Sequence, residues 1–388
     1  MTTSGSLERL RATNRRTLMA VLAARGPTSR ADLARTTGLS RTTVSSLVAE
    51  LIVEGQAAET THRGRPHKGG SGRPPVLVTL TASSGVVAGV DVGHRHVRVA
   101  LADRTGQVLT ERTASVDVDR QGAATLDRAA DLVRAVLQEA GLDPSQLRGV
   151  GMCVPAPVDR RSARIRTGIL PGWRELRPGD ELSGRLDVPV FADNDANLGV
   201  LAEVGHGAAR GLSDLVYLKI ASGLGAGIVL GNRLHRGATG IAGEIGHVQV
   251  GEDGTVCRCG NRGCLETLVA APVLLGLLQP AYDEALTTER ILALEGAGDA
   301  GVRRVLSDAG RTVGRALADL CNSLNPEAVV LGGSLGRSPA LTEGVRAAID
   351  RYAQPAAADA VRVVPGQLGD RAEVVGAIAL AISRLVLP

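Results

Sequence analysis

Val86-Val-Ala-Gly-Val-Asp91-Val-Gly93 is a run of apolar residues that ends on an acid and a glycine, and Val97 to Ala102 resumes the apolar pattern after the turn His94-Arg95-His96. Short apolar runs broken by polar turns are buried strands, here Val86 to Val92 and Val97 to Ala102. Val108 to Thr113 supplies a third strand, Ala123 to Ala140 a helix, and Gly149 to Val154 and Val188 to Ala192 further strands. Strands that alternate with helices in this way build an α/β sheet. A second set begins with Leu215 to Ile220 and Gly227 to Leu230, passes through several helical segments and reaches Ala328 to Leu331. The economical architecture is two α/β lobes enclosing a cleft, over residues 85–210 and 211–370. A C-terminal helix over about 371–388 returns to the first lobe.

The first 80 residues follow a different pattern. Asn14 to Arg25 places Leu18, Val21 and Leu22 on one helical face, and Gly26-Pro27 stops it. A second helix follows the cap candidates Thr28 and Ser29, buries Leu33 and stops at Gly38. A third opens at Ser40 and runs through Val44, Leu47, Val48 and Leu51 to Gly55. Two short helices joined by a glycine turn are the signature of a helix-turn-helix. The start of the third helix, Ser40, Arg41, Thr42, Thr43 and Ser45, carries hydroxyls and one guanidinium. These groups can bond phosphates and base edges when a recognition helix enters the major groove.

Charge supports the same reading. Residues 1–80 hold 12 Lys and Arg against 5 Asp and Glu, a surplus of seven, whereas the whole chain carries only +4. Thr61 to Pro75 contains Arg63, Arg65, Lys68 and Arg73, two histidines and no acid. Between the strand candidates Gln56 to Thr60 and Val76 to Leu80 it would form the wing of a winged helix. Arg63-Gly64-Arg65-Pro66 also matches the core of a minor-groove hook, in which arginines enter a narrow, negative groove. The Gly/Pro-rich stretch serves equally as a flexible linker, and the two roles are compatible.

Composition excludes other classes. At 388 residues and 44% hydrophobic content the chain is globular and holds more than one domain. No stretch is long and uncharged enough to span a membrane, and the N-terminus lacks the apolar core of a secretion signal, so a cytoplasmic protein is expected. Aromatic residues amount to Trp173, Phe191, Tyr217, Tyr282 and Tyr352. Base stacking on single strands therefore gives way to duplex DNA as the expected partner. Cys257, Cys259 and Cys264 crowd together with no separated partner set, which argues against a disulfide framework, and Cys153 and Cys321 lie in apolar stretches.

Seven motifs in order carry a resemblance: Asp91-Val-Gly93, Pro171-Gly-Trp173, Asn194-Asp-Ala-Asn197, Ser222-Gly-Leu-Gly-Ala-Gly227, Glu244-Ile-Gly-His247, the cysteine cluster with Leu265-Glu266, and Asn325 to Gly333. Residues 86 to the end resemble the ROK family (repressors, open reading frames and kinases), which has the two-lobed actin-like, ribonuclease H-like ATPase fold. The preceding helix-turn-helix points to its repressor branch. Three thiolates and one imidazole, from Cys257, Cys259, Cys264 and His247, make a closed tetrahedral set suited to structural zinc. The resemblance further implies that Asn194, Asp195, Glu244, His247 and Glu266 contact a sugar. Asp195 stands at the position of the base that deprotonates the accepting hydroxyl.

The same resemblance assigns Asp91, Gly93, Ser222, Gly223, Gly225, Gly332 and Gly333 to phosphate or nucleotide loops. Family kinases show a second glycine and a threonine where this chain has His94-Arg95-His96, whose side chains crowd that loop. ATP and Mg2+ are therefore not expected, and Asp195 is read as vestigial or sugar-binding. The sequence favours a repressor of carbohydrate genes, relieved by a sugar or sugar phosphate and acting as a homodimer or homotetramer on double-stranded operator DNA. The alternative is a bifunctional ATP-dependent sugar kinase that also regulates transcription.

Overall fold

The computed structural model describes residues 11, 14–15, 17–19, 21–22, 26–63, 76–81, 85–165 and 168–385. In its body the apolar runs become two five-stranded sheets. The first has the order Val108–Ser115, His96–Asp103, Val86–Val92, Leu147–Val154, Val190–Asn194. The first three strands pair antiparallel, and the last two add on in parallel. Val86–Val92 is buried at every position. It lacks the apolar–polar alternation of a half-exposed strand because both faces are covered. Leu126, Val133 and Val136 of the helix Gly122–Glu139 pack within the core on one face. On the other, Val374, Ile378 and Ile382 of the helix Ala372–Leu385 meet Val87, Ala100 and Ala102. That helix lies so close to the sheet that a Cβ on Gly151 would fall 1.8 Å from the Ala377 carbonyl oxygen.

The second sheet has the order Arg233–Leu234, Leu224–Leu230, Leu215–Ile220, Ala328–Gly332, Arg362–Pro365. Val216, Leu218 and Ile220 of its middle strand share a core with Val313 and Leu317 of the helix Ala300–Leu324 and with Leu341 and Val345 of the helix Pro339–Tyr352. The helix Asp195–His206 lies at the seam between the sheets. A Cβ on Gly227 of the second sheet would come within 2.4 Å of the Ala196 carbonyl oxygen, and one on Gly376 within 1.9 Å of that of Leu198. The start of this helix is therefore gripped from both sides, which fixes Asn194 and Asp195.

In the head, Ser29 caps the helix Arg30–Thr37 by accepting from the Asp32 N–H at 3.1 Å, and Gly38 ends it in the left-handed conformation. Ser40 caps the helix Arg41–Val53 through the Thr43 N–H, also at 3.1 Å. The expected helix from Asn14 to Arg25 falls partly outside the described residues, but Leu18 and Leu22 are described. With Leu33, Val44, Leu47 and Leu51 they form one small core. Three antiparallel strands complete the head, in the order Thr28–Ser29, Val76–Leu80, Ala57–Arg63. Thr28 and Ser29 thus pair in a sheet as well as preceding a helix. Among the described residues no helix is long and apolar enough to cross a membrane.

Trp173 is fully buried, and its indole N–H donates to the Val118 carbonyl at 2.7 Å. Trp173→Ala is expected to cost about 3–5 kcal/mol of stability, from lost burial and the cavity left behind. Trp173→Phe should cost about 1–3 kcal/mol, because it leaves the Val118 carbonyl unpaired. Urea unfolding followed by circular dichroism checks this order.

Candidate functional site

Both sheets send residues into one cleft, lined by His94, Asn194, Asp195, Lys219, Ser222, Gly223, Gly225, Glu244, His247 and Glu266. All five residues expected to contact a sugar are among them. The space between the walls is about 40 Å³. That is room for a few waters in a cleft that is partly open to solvent.

Asn194 caps the helix Asp195–His206, and its side-chain oxygen accepts from the N–H groups of Ala196 and Asn197 at 2.9 and 3.3 Å. Its amide NH2 is the end left to meet a ligand. Asp195 occupies the first helical position, and its Oδ2 accepts from Lys219 Nζ at 2.8 Å. Glu266 accepts from the Leu224 N–H at 2.9 Å, which ties it to the glycine turn that opens at Ser222. Burial, followed by the charges of Asp195 and Glu266, pushes the Glu244 carboxyl up to about 7.

Ion pairs between the lobes join aspartates of the first to cations of the second. Asp193 accepts from Arg236 Nε and Nη2 at 2.7 and 2.6 Å. Asp195 pairs with Lys219 as described. Arg258, held between two cysteines of the cluster, lies 3.7 Å from Asp119 and 3.6 Å from Glu266. Asp119 also meets His94 Nδ1 at 2.6 Å. Asp193, Arg236, Lys219 and Arg258 are site residues that the sequence motifs miss. Lys219 alone carries a local signal, as the one charge in the apolar strand Leu215–Ile220.

His247, Cys257, Cys259 and Cys264 place their donor atoms within 4.8 Å of one another. Cys257 Sγ lies 3.5 Å from His247 Nδ1, and Cys259 Sγ lies 3.7 Å from Cys264 Sγ. A tetrahedral ion with bonds of about 2.3 Å to sulfur and 2.0 Å to nitrogen separates its ligands by roughly 3.5–3.8 Å, so the cage has the dimensions for such an ion. The sulfur separation also excludes a disulfide, whose bond is about 2.05 Å. With Nδ1 turned to the cage, His247 Nε2 faces Glu244 at 3.5 Å. One imidazole can thus serve the cage and the cleft wall.

The expected phosphate loops fare unevenly. Ser222, Gly223 and Gly225 line the cleft itself. Asp91 is buried behind it, and Gly93 lies against His96, whose ring a Cβ at that position would approach to 2.2 Å. Gly332 and Gly333 are not among the lining residues. A Cβ on Gly333 would lie 2.5 Å from the Ile220 carbonyl oxygen, and its φ is +75°, so packing by itself requires glycine there. In the head, Ser40, Arg41, Thr42 and Ser45 are exposed and Thr43 is half-buried. Arg63 ends a strand. Its side chain lies outside the described residues, as do Arg65 and Arg73.

Residues 87–384 match the model of the ROK family. The chain belongs to the ROK family. It is 29% identical over 374 residues to the xylose repressor of Bacillus subtilis strain 168, with 96% of each chain covered. It is also 30% identical to the glucokinase of Thermotoga maritima, a match that covers 97% of the kinase and 76% of this chain. Among solved structures, a ROK family transcriptional regulator described as a homologue of the Escherichia coli Mlc protein is 26% identical. Its TM-score is 0.78, over 97% of this chain and 96% of its own. The regulators span the head and the body, whereas the kinase leaves about a quarter of this chain unmatched.

Arg236→Met should strand Asp193 without its cation and cost about 3 kcal/mol of stability. Equilibrium unfolding checks this. A loss below about 0.5 kcal/mol would mean that the pair contributes no more than an exposed one.

Proposed function

We propose that this chain is a sugar-responsive, DNA-binding transcriptional repressor of carbohydrate uptake or metabolism genes, acting in the cytoplasm. The observation that carries the proposal is a head of two capped helices and a small antiparallel sheet on a ROK body, matched along nearly its whole length by a protein named as a xylose repressor. The exposed hydroxyls and Arg41 at the start of Arg41–Val53 suit a recognition helix in the major groove of operator DNA. Ala57–Arg63 and Val76–Leu80 flank the basic segment and support its reading as a wing that includes Arg63, Arg65 and Arg73.

Asn194, Asp195, Glu244, His247 and Glu266 offer the carboxylates, amide and imidazole that grip sugar hydroxyls. The cage formed by His247, Cys257, Cys259 and Cys264 would hold a structural zinc ion, whose role is to anchor His247 and Glu266 in the cleft wall. A sugar that enters would compete for the carboxylates of the cleft and rearrange the ion pairs between the lobes. In a homodimer or homotetramer such a movement changes the spacing of the heads and weakens operator binding.

Arg41→Ala is expected to weaken binding to DNA from the chain's own promoter region at least about tenfold, with monosaccharide-induced thermal shifts unchanged. Glu244→Ala should abolish those shifts and leave DNA binding intact. Coupled loss of both activities in either variant, with the fold intact, contradicts the division of labour. Elemental analysis should find about one zinc per chain, falling well below that in Cys264→Ser; full metal content in that variant would contradict the cage.

A further inference from the structure

Lys219 Nζ lies 2.8 Å from Asp195 Oδ2 and 3.4 Å from Glu373 Oε1. Its side chain is 16% exposed and that of Glu373 is 4% exposed. One ammonium thereby joins the second sheet, the start of Asp195–His206 and the C-terminal helix at the cleft floor. A third carboxylate is nearby. Asp91 meets His96 Nε2 at 3.1 Å through Oδ2, while its Oδ1 accepts from Cys153 Sγ at 3.0 Å. Burial opposes the charge on Asp91, but His96 and then Lys219 outweigh it and hold the carboxyl below its ordinary value. Three carboxylates in a poorly hydrated floor repel one another unless a cation lies among them.

In a phosphotransferase a magnesium ion fills such a role, bound by carboxylates together with the substrate's phosphates. With Lys219 in place the residues here do not fit it. Mg2+ requires near-octahedral oxygen ligands at about 2.0–2.1 Å. Both oxygens of Asp91 are engaged, by an imidazole and a thiol, and Asp195 is engaged by the ammonium. Lys219 also lines the cleft rather than lying behind it.

We propose that Lys219 is a built-in cation that takes the place of a divalent metal in this cleft and fixes Asp195 as an acceptor for a ligand hydroxyl. Oδ2 is taken by Lys219 and Oδ1 by the Ala196 N–H at 2.8 Å, which leaves each oxygen with one further lone pair for a hydroxyl donor. The second half of this proposal rests on the sugar-site reading above; the first does not.

The test uses the full chain and Mg2+ alone, with ionic strength matched by KCl, and reads the melting temperature. The wild type should not respond. Lys219→Met should melt lower and recover by roughly 3 °C or more in millimolar Mg2+, as a ligand well above its Kd stabilises the state it binds. Lys219→Arg should remain insensitive to Mg2+, and Lys219→Met combined with Asp195→Asn should lose the response. Stabilisation of the wild type by Mg2+, or a folded Lys219→Met that ignores it, overturns the proposal. If Lys219→Met does not fold, Lys219→Gln, which keeps a polar side chain in the floor, takes its place in the same measurement. No sugar enters the test, so failure of the sugar reading shows separately, as the absence of any monosaccharide shift.

Discussion

Charge compensation across the seam between the lobes is the constraint on which the rest of the cleft depends. Asp119, Asp193 and Asp195 belong to the first lobe; Arg258, Arg236 and Lys219 belong to the second. A buried or half-buried carboxylate is tolerated only when a cation or several donors meet it, so each pair constrains the distance between the lobes. Under the proposed function, a ligand with many hydroxyls would replace part of the network and so change the preferred separation of the lobes. In the proposed repressor, that change would couple ligand binding to the position of the head.

The cysteine cage has a related role at the edge of the cleft. It holds His247 by one ring nitrogen and turns the other toward Glu244. It also presents Arg258 to both Asp119 and Glu266. The cage thereby places these side chains at the edge of the cleft.

Much of the fold is legible in the sequence because it depends on local patterns. Val86–Val92 and Leu215–Ile220 match their apolar runs to the residue, since clear turns bound them. The run Val188 to Ala192 starts two residues before its strand, which is Val190–Asn194 and begins after Pro189, a residue with no N–H to pair. Leu224–Leu230 starts three residues before the expected Gly227. Its glycines suggest a turn, whereas Gly227 is needed for close approach to the helix that starts at Asp195. Motif residues such as Asp195, Glu244 and the cysteines can be found from spacing. Arg236 and Arg258 cannot, because their partners Asp193 and Asp119 lie far away in the chain and nothing local announces the pairing.

In the proposed repressor, a sugar in the cleft and DNA on the head oppose each other. Fluorescence anisotropy of the full chain on labelled DNA from its own promoter region, titrated with a series of monosaccharides and their phosphates, tests it most directly. At least one of them is expected to weaken DNA binding about fivefold or more, with the reciprocal loss of sugar affinity when DNA is bound. Sugar binding that leaves DNA affinity unchanged across the series would contradict it.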